Sequence, residues 1–325
     1  VSGPAIYMLQ DEMDLYKGFR DNGVPSVPGL GFSKKFDEHM RIIPGMLSTV
    51  IASANTGKTT FMLNKMVYMA VQFGWKFALF TPEQDAPKEI MGQKIPLKAF
   101  VVEVLASVLV GKPISSVKEF RRNGIGQPEM IMPMSQAEYN AALSFINEHF
   151  IFMNPQAGDA AFASIMGLAE YAVQKYDVKG IVVDPWNMVE DSLGDYTEAA
   201  DKFRAINQFK RRTNVGWWIT NHVSKTGLGS RMEKGDDGLT RKVESMPSGY
   251  DGKGGTEWMD MSDYVTVLYR PKGEPETTIR VEKIRFQPVC GKIGEFRMIL
   301  NLANNRFYEL GRPSFEPLID LSKWI

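Results

Sequence analysis

The chain has 325 residues, 44% of them hydrophobic, with 38 basic against 38 acidic side chains and no net charge. That apolar content suffices for one large buried core or two modest ones, and the charge balance excludes a global positive field, so any nucleic-acid binding must be local. A single cysteine, Cys290, excludes an internal disulfide framework and a cysteine-rich metal site, and it favours a reducing, intracellular compartment.

Val1-Ser2-Gly3-Pro4 carries neither an initiator Met nor a charged and apolar leader, as expected of a processed or excised fragment. No run approaches the roughly 18 apolar residues of a membrane span. Residues 5–20 put Ile6, Leu9, Met13 and Tyr16 on one face of a short helix, isolated by the turn-rich stretch Asn22 to Ser33. This arm either packs on its own domain or docks on a neighbouring subunit.

After the turn Pro44-Gly45, Leu47 to Ile51 reads as a strand, and Lys58 to Phe73 keeps a helical period through Phe61, Met62, Met66 and Met69, with Gly74 as its stop. Between them lies Ala52-Ser53-Ala54-Asn55-Thr56-Gly57-Lys58-Thr59-Thr60. A phosphate-binding loop follows G-x-x-x-x-G-K-[ST], because small residues let backbone N–H groups turn toward phosphate, Lys meets the β/γ charge and the hydroxyl serves Mg²⁺. Gly57, Lys58 and Thr59 fit that pattern, and Ala52 replaces the leading Gly. Strand before and helix after place the loop where free N–H groups and the helix dipole favour an anion.

Trp75 to Thr81 is strand-like and ends in Pro82-Glu83-Gln84. Glu83 therefore sits at a strand tip beside the phosphate loop, where it positions or deprotonates water, or else serves the first turn of a following helix. Residues 86–109 read as helical, and Gly/Pro punctuation carries no chemistry as far as Pro133. Ser135-x-x-Glu138 is a capping box opening a helix with Tyr139, Leu143 and Ile146 inward. Phe150 to Met153 is a further strand, and Asp159 is expected to cap the helix carrying Phe162, Ile165 and Ala169.

Lys179 to Asp184 has the form of a buried parallel strand with a Mg²⁺-coordinating acid at its tip. A helix over Thr197–Thr213 leads to the strand Val215 to His222, tipped by histidine. Lys225 to Gly255 is a long Gly-, Ser- and charge-rich segment containing Lys225, Arg241 and Lys242, of a length unusual inside a compact domain. From Ser262 the pattern turns to antiparallel β, over 264–270, 278–286, 295–300 and 306–310. Period two puts Ile279, Val281, Lys283 and Arg285 on one face, the cations about 7 Å apart. The partly apolar tail, Phe315 to Ile325, docks on its own core or on a partner.

In their order and spacing, Pro44-Gly45, the phosphate loop, Thr81-Pro82-Glu83, Val183-Asp184-Pro185-Trp186-Asn187, Asn221-His222 and Lys283-Ile284-Arg285-Phe286-Gln287-Pro288-Val289 resemble the helicase domain of hexameric replicative DNA helicases. This is the RecA-like family of DnaB, phage primase-helicases and Twinkle, and the resemblance runs from about residue 5 to about 310. It implies an α/β fold of the RecA-like P-loop NTPase kind, a mainly parallel sheet flanked by helices with an antiparallel extension.

The resemblance further implies a nucleotide, ATP or dTTP, held by Ser53, Ala54, Asn55, Thr56, Gly57, Lys58, Thr59 and Thr60. Mg²⁺ would be held at Thr59 with Asp184 behind it. Glu83 would activate water, His222 would sense the γ-phosphate, and Lys283 and Arg285 would reach the adjacent subunit's nucleotide. Lys225, Arg241 and Lys242 would meet single-stranded DNA in a ring, as a hexamer, acting on forked DNA beside primase and polymerase partners. Priming activity is not implied. The expected organisation is an arm over 1–40, an ATPase core over 41–312 and a tail over 313–325. A recombinase filament and a non-catalytic ATP-dependent DNA clamp are the alternatives; retention of Glu83 weighs against the clamp, and Arg285 against the filament.

Overall fold

The computed structural model describes residues 8–23, 25–115, 117–119, 129–155, 160–190, 196–224, 229–234, 240–254, 256–309, 311 and 314–324. Two short helices, α1 (Met13–Asn22) and α2 (Lys34–His39), precede strand β1 (Leu47–Ala52), which the turn Pro44-Gly45 introduces. α3 (Lys58–Phe73) follows and ends at Gly74, whose left-handed conformation closes the last turn through its N–H on Ala70. The chain continues through β2 (Phe77–Phe80), the small hairpin β3 (Glu89–Ile90) and β4 (Gln93–Lys94), α4 (Ala99–Val110), β5 (Val117–Glu119) and β6 (Glu129–Ile131). Next come α5 (Gln136–His149), β7 (Phe150–Phe152), α6 (Phe162–Tyr176), β8 (Gly180–Val183), α7 (Tyr196–Thr213) and β9 (Gly216–His222). A second hairpin, β10 (Ser230–Lys234) with β11 (Thr240–Glu244), precedes α8 (Glu257–Met261), β12 (Tyr264–Tyr269), β13 (Glu276–Ile284), β14 (Gly294–Leu300) and β15 (Phe307–Tyr308).

Nine of these strands form one sheet in the order β15-β14-β13-β12-β1-β9-β8-β2-β7, parallel from β12 to β7 and antiparallel beyond β12. The parallel strands β1, β2 and β8 are buried along their whole length, because helices cover both faces and every second side chain faces a separate apolar layer. One layer gathers Phe36, Phe61, Met66, Leu105, Phe145, Trp218 and Ile279, and the other gathers Ile165, Trp186, Phe203, Phe209, Trp217 and Trp258. The sequence-read parallel strands, the helix over 58–73 and the capping box all form; Ser135 Oγ accepts from Glu138 N–H while the Glu138 carboxylate accepts from Ser135 N–H.

Four expectations are corrected. The stretch 86–98 is not helical: Pro87, Gly92 and Pro96 break it, β3 and β4 occupy it, and the helix begins only at Ala99. Glu83 consequently opens no long helix and lies in the single turn Pro82–Gln84. Asp159 lies outside the described residues, and the N-cap of α6 is Ala161. Finally, the alternation along β13 shifts at a bulge, since Val265 pairs with Lys283 and Thr266 with Val281, leaving Glu282 as an extra residue. Ile279, Val281 and Ile284 are therefore the buried set, and Lys283 does not share a face with Ile279 and Val281.

Of the two placements open to the arm, packing on its own domain is not seen. No residue of α1 is buried, and Leu9, Met13, Leu15, Tyr16 and Phe19 are exposed. Ile6 lies outside the described residues. The tail does dock on its own core, with the Trp324 ring edge-on to Phe145 at 5.0 Å.

Candidate active site

Strand order sets the site. In β1, Ile51 and Ala52 pair with Asn221 and His222 of β9; Val183 at the tip of β8 pairs with Ile219, and Phe80 of β2 with Val183. Four strand ends thus present the phosphate loop, His222, Asp184 and Glu83 along the same sheet edge, the edge where open α/β sheets bind ligands.

Ala52 is the last residue of β1 and lies in the ladder between Leu268 and His222, so the position asks for no glycine freedom. The left-handed positions are Asn55, with φ of 60°, and Gly57, with φ of 85°. At Gly57 a Cβ would also come within 3.2 Å of the Phe307 ring. Phe307 is held from behind: its N–H donates to Asn64 Oδ1, and Asn64 Nδ2 donates to Asn305 O, which fastens the antiparallel extension to α3. Within the loop, Thr56 Oγ1 donates to Ser53 O at 2.8 Å.

Lys58 is 7% exposed, and its Nζ lies 3.2 Å from His222 Nε2. Burial lowers the lysine's pKa, and the Asp184 and Glu83 carboxylates oppose that shift. Burial first, and the Lys58 charge second, likewise depress His222, so the ring is neutral near pH 7 and Nε2 accepts from the lysine. Glu83 Oε1 stands 3.8 Å from the same Nε2. Asp184 is buried and accepts from the Thr220 hydroxyl, which orients it. A desolvated cation whose nearest partner is a neutral imidazole favours an anion, so these residues fit a nucleotide phosphate. The Thr59 hydroxyl and the Asp184 carboxylate are the hard oxygen donors suited to Mg²⁺. Among the described residues no cluster of three His, Cys, Asp or Glu forms a metal site without such a ligand.

His222 is fixed by a closed set of bonds. Its N–H donates to Asn221 Oδ1, Asn221 Nδ2 donates to Lys253 O at 2.7 Å, and Lys253 N–H donates to His222 O at 2.7 Å. The Trp258 indole N–H adds a second bond to Lys253 O, so both ends of the long segment after His222 are tied at the sheet edge.

Lys283 and Arg285 lie at the other end of the sheet. β12 runs parallel to β1 with Tyr264 beside Ser48, and β13 returns so that Ile284 pairs with Tyr264, far from Ala52. Lys283 Nζ donates to the Met259 and Asp260 carbonyls at the end of α8, and Arg285 Nε pairs with Asp263 Oδ1 at 3.1 Å. The structure does not bring this pair to its own loop. Arg241 and Lys242 fall in β11, opposite Glu233 and Met232 of β10, and Lys225 lies outside the described residues.

Two groups escaped the sequence reading. Arg270, directly after β12, donates to Asn55 O and brings a cation to the phosphate loop. Its signal was available, because a strand parallel to β1 must end at the same edge. Asp263, between α8 and β12, had no such signal.

No known protein-family pattern matches the chain. Over 298 residues the sequence is 22% identical to the chloroplastic/mitochondrial Twinkle homologue of Arabidopsis thaliana, covering 88% of this chain and 36% of that protein's length. The fold matches a helicase ATPase domain of known structure with a TM-score of 0.60 at 14% identity, over 94% of this chain and 99% of that one. The chain is a RecA-like ATPase fold whose sequence is similar to a Twinkle homologue.

Proposed function

We propose that the chain is the motor domain of a replicative DNA helicase, which hydrolyses ATP or dTTP with Mg²⁺, assembles as a ring, translocates on single-stranded DNA and opens forked duplexes. The observation that carries this reading is the division of charged groups between two sheet edges. Lys58, Glu83, Asp184 and His222 meet at one edge, and Lys283 and Arg285 are presented at the opposite one.

In this reading Lys58 and the loop N–H groups bind the phosphates. Glu83 holds and deprotonates the attacking water, and His222 registers the terminal phosphate through its bond to Lys58. Mg²⁺, held by Thr59 and Asp184, would neutralise charge developing on the phosphates. Lys283 and Arg285 serve the neighbour's nucleotide, where a guanidinium stabilises transition-state charge. Cations of the segment after His222, Arg241 and Lys242 among them, meet the DNA backbone.

The test is nucleotide hydrolysis with and without single-stranded DNA, alongside strand displacement on a forked duplex. DNA-stimulated hydrolysis with displacement is expected. Hydrolysis without displacement, together with open filaments in micrographs, would instead indicate a recombinase.

A further inference from the structure

Asp263 is a buried carboxylate, 4% exposed, with three ties to other elements. Oδ2 accepts the Leu47 N–H at 2.8 Å at the start of β1, and Oδ2 also pairs with Lys210 of α7, whose side chain is 6% exposed. Oδ1 faces Arg285 Nε at 3.1 Å, and the Arg285 N–H donates to the Asp263 carbonyl at 2.9 Å. Arg285 is therefore held to one residue by both its backbone and its side chain. Its side chain remains 49% exposed. The contact uses Nε, which leaves the two terminal nitrogens of the fork for a further acceptor.

A structural staple would be complete with Lys210 alone, since one buried cation balances one buried carboxylate. The second cation is half in solvent, where an ion pair contributes little to stability. What the pair does supply is direction. Arginine has a flexible stem, and a group that must meet charge developing on another subunit gains from being fixed beforehand.

We propose that Asp263, backed by Lys210, is a positioning residue that aims Arg285 across the subunit interface. The inference rests on the cross-subunit reading of Arg285 given above. Because Asp263 is anchored on β1 through Leu47 and joined to α8 by Ser262, the aim of Arg285 is referred to the strand that carries its own phosphate loop.

The test uses Asp263→Asn, and Asp263→Asn combined with Lys210→Met so that no buried lysine is left unpaired. The double variant is expected to melt near the parent and bind nucleotide with unchanged affinity, while kcat falls by about 10- to 100-fold, the scale of a misplaced catalytic group. Mixed with Lys58→Ala subunits it should regain hydrolysis, because its intact loop then meets an intact, correctly held Arg285. Mixed with Arg285→Ala it should not. Parental kcat, lack of rescue by Lys58→Ala, or failure of both variants to fold would each overturn the proposal. The cross-subunit reading fails separately, if Arg285→Ala itself hydrolyses at the parental rate or is not rescued by Lys58→Ala.

Discussion

Lys58 Nζ and His222 Nε2 stand 3.2 Å apart at the tips of adjacent parallel strands, the lysine buried and the imidazole held neutral by its surroundings. In this arrangement His222 occupies one of the donors that a phosphate would take. Phosphate binding and the position of His222 are thereby linked, and the bonds through Asn221 and Lys253 pass the change to the segment that follows.

Lys58→Ala and Glu83→Gln should therefore fail differently. Lys58 meets phosphate charge, so its removal weakens nucleotide binding by about 10-fold or more and abolishes turnover, whereas Glu83→Gln binds normally and stops turnover. Titration with a fluorescent nucleotide beside a hydrolysis assay separates the two. Equal loss of affinity in both variants would contradict the assignment.

Arg285→Ala should bind nucleotide like the parent and lose hydrolysis by roughly 10³-fold or more, the contribution of a guanidinium at phosphoryl transfer. Mixing with Lys58→Ala should restore part of it. Activity no greater than the sum of the separate variants, with subunit exchange demonstrated, would show that Arg285 does not act across the interface.

Neutralising Arg241 and Lys242 should weaken single-stranded DNA binding and leave DNA-free nucleotide affinity unchanged. Losing about two phosphate contacts should flatten the log-log salt dependence by roughly 1.4. An unchanged slope would assign the strand to another segment.

Lys65 predicts a pH-dependent stability. It is fully buried, with Met40 Sδ 3.8 Å from Nζ and the Phe36 and Phe61 ring centroids at 6.0 and 5.8 Å, and burial lowers its pKa from 10.5 to about 7. The folded state thus prefers the neutral amine and the unfolded chain the charged one. Stability is undiminished above pH 10.5, falls as pH drops from 10.5 to about 7, and stays at the lower level below that. At roughly 1.4 kcal/mol per pH unit the loss is about 4 to 5 kcal/mol. Lys65→Met keeps the volume and removes the titration, so urea melts should show it gaining most at pH 6 to 7 and least near pH 10. A gain independent of pH would refute this.

The strand and helix order, the phosphate loop and the edge on which Glu83, Asp184 and His222 gather were legible in the sequence. Each rests on local chemistry: apolar runs of strand length, a 3.6-residue period, a glycine before a lysine and an acid or histidine at a strand's last position. Parallel strands joined through helices leave their tips on one edge, so the pattern alone brings those groups together.

What tertiary structure decided depends on partners distant in sequence. The bulge in β13 is set by pairing with β12 and moves Lys283 off the face that strict alternation assigns it. Arg270 reaches Asn55 across 215 positions, and Asp263 meets Leu47 across 216. Neither has a local signature, because an arginine after a strand or an aspartate before one is ordinary until the sheet order places it. The exposed face of α1 and the docking of Trp324 follow the same rule: amphipathic sequence calls for a partner surface, and only packing selects whether that surface is the chain's own.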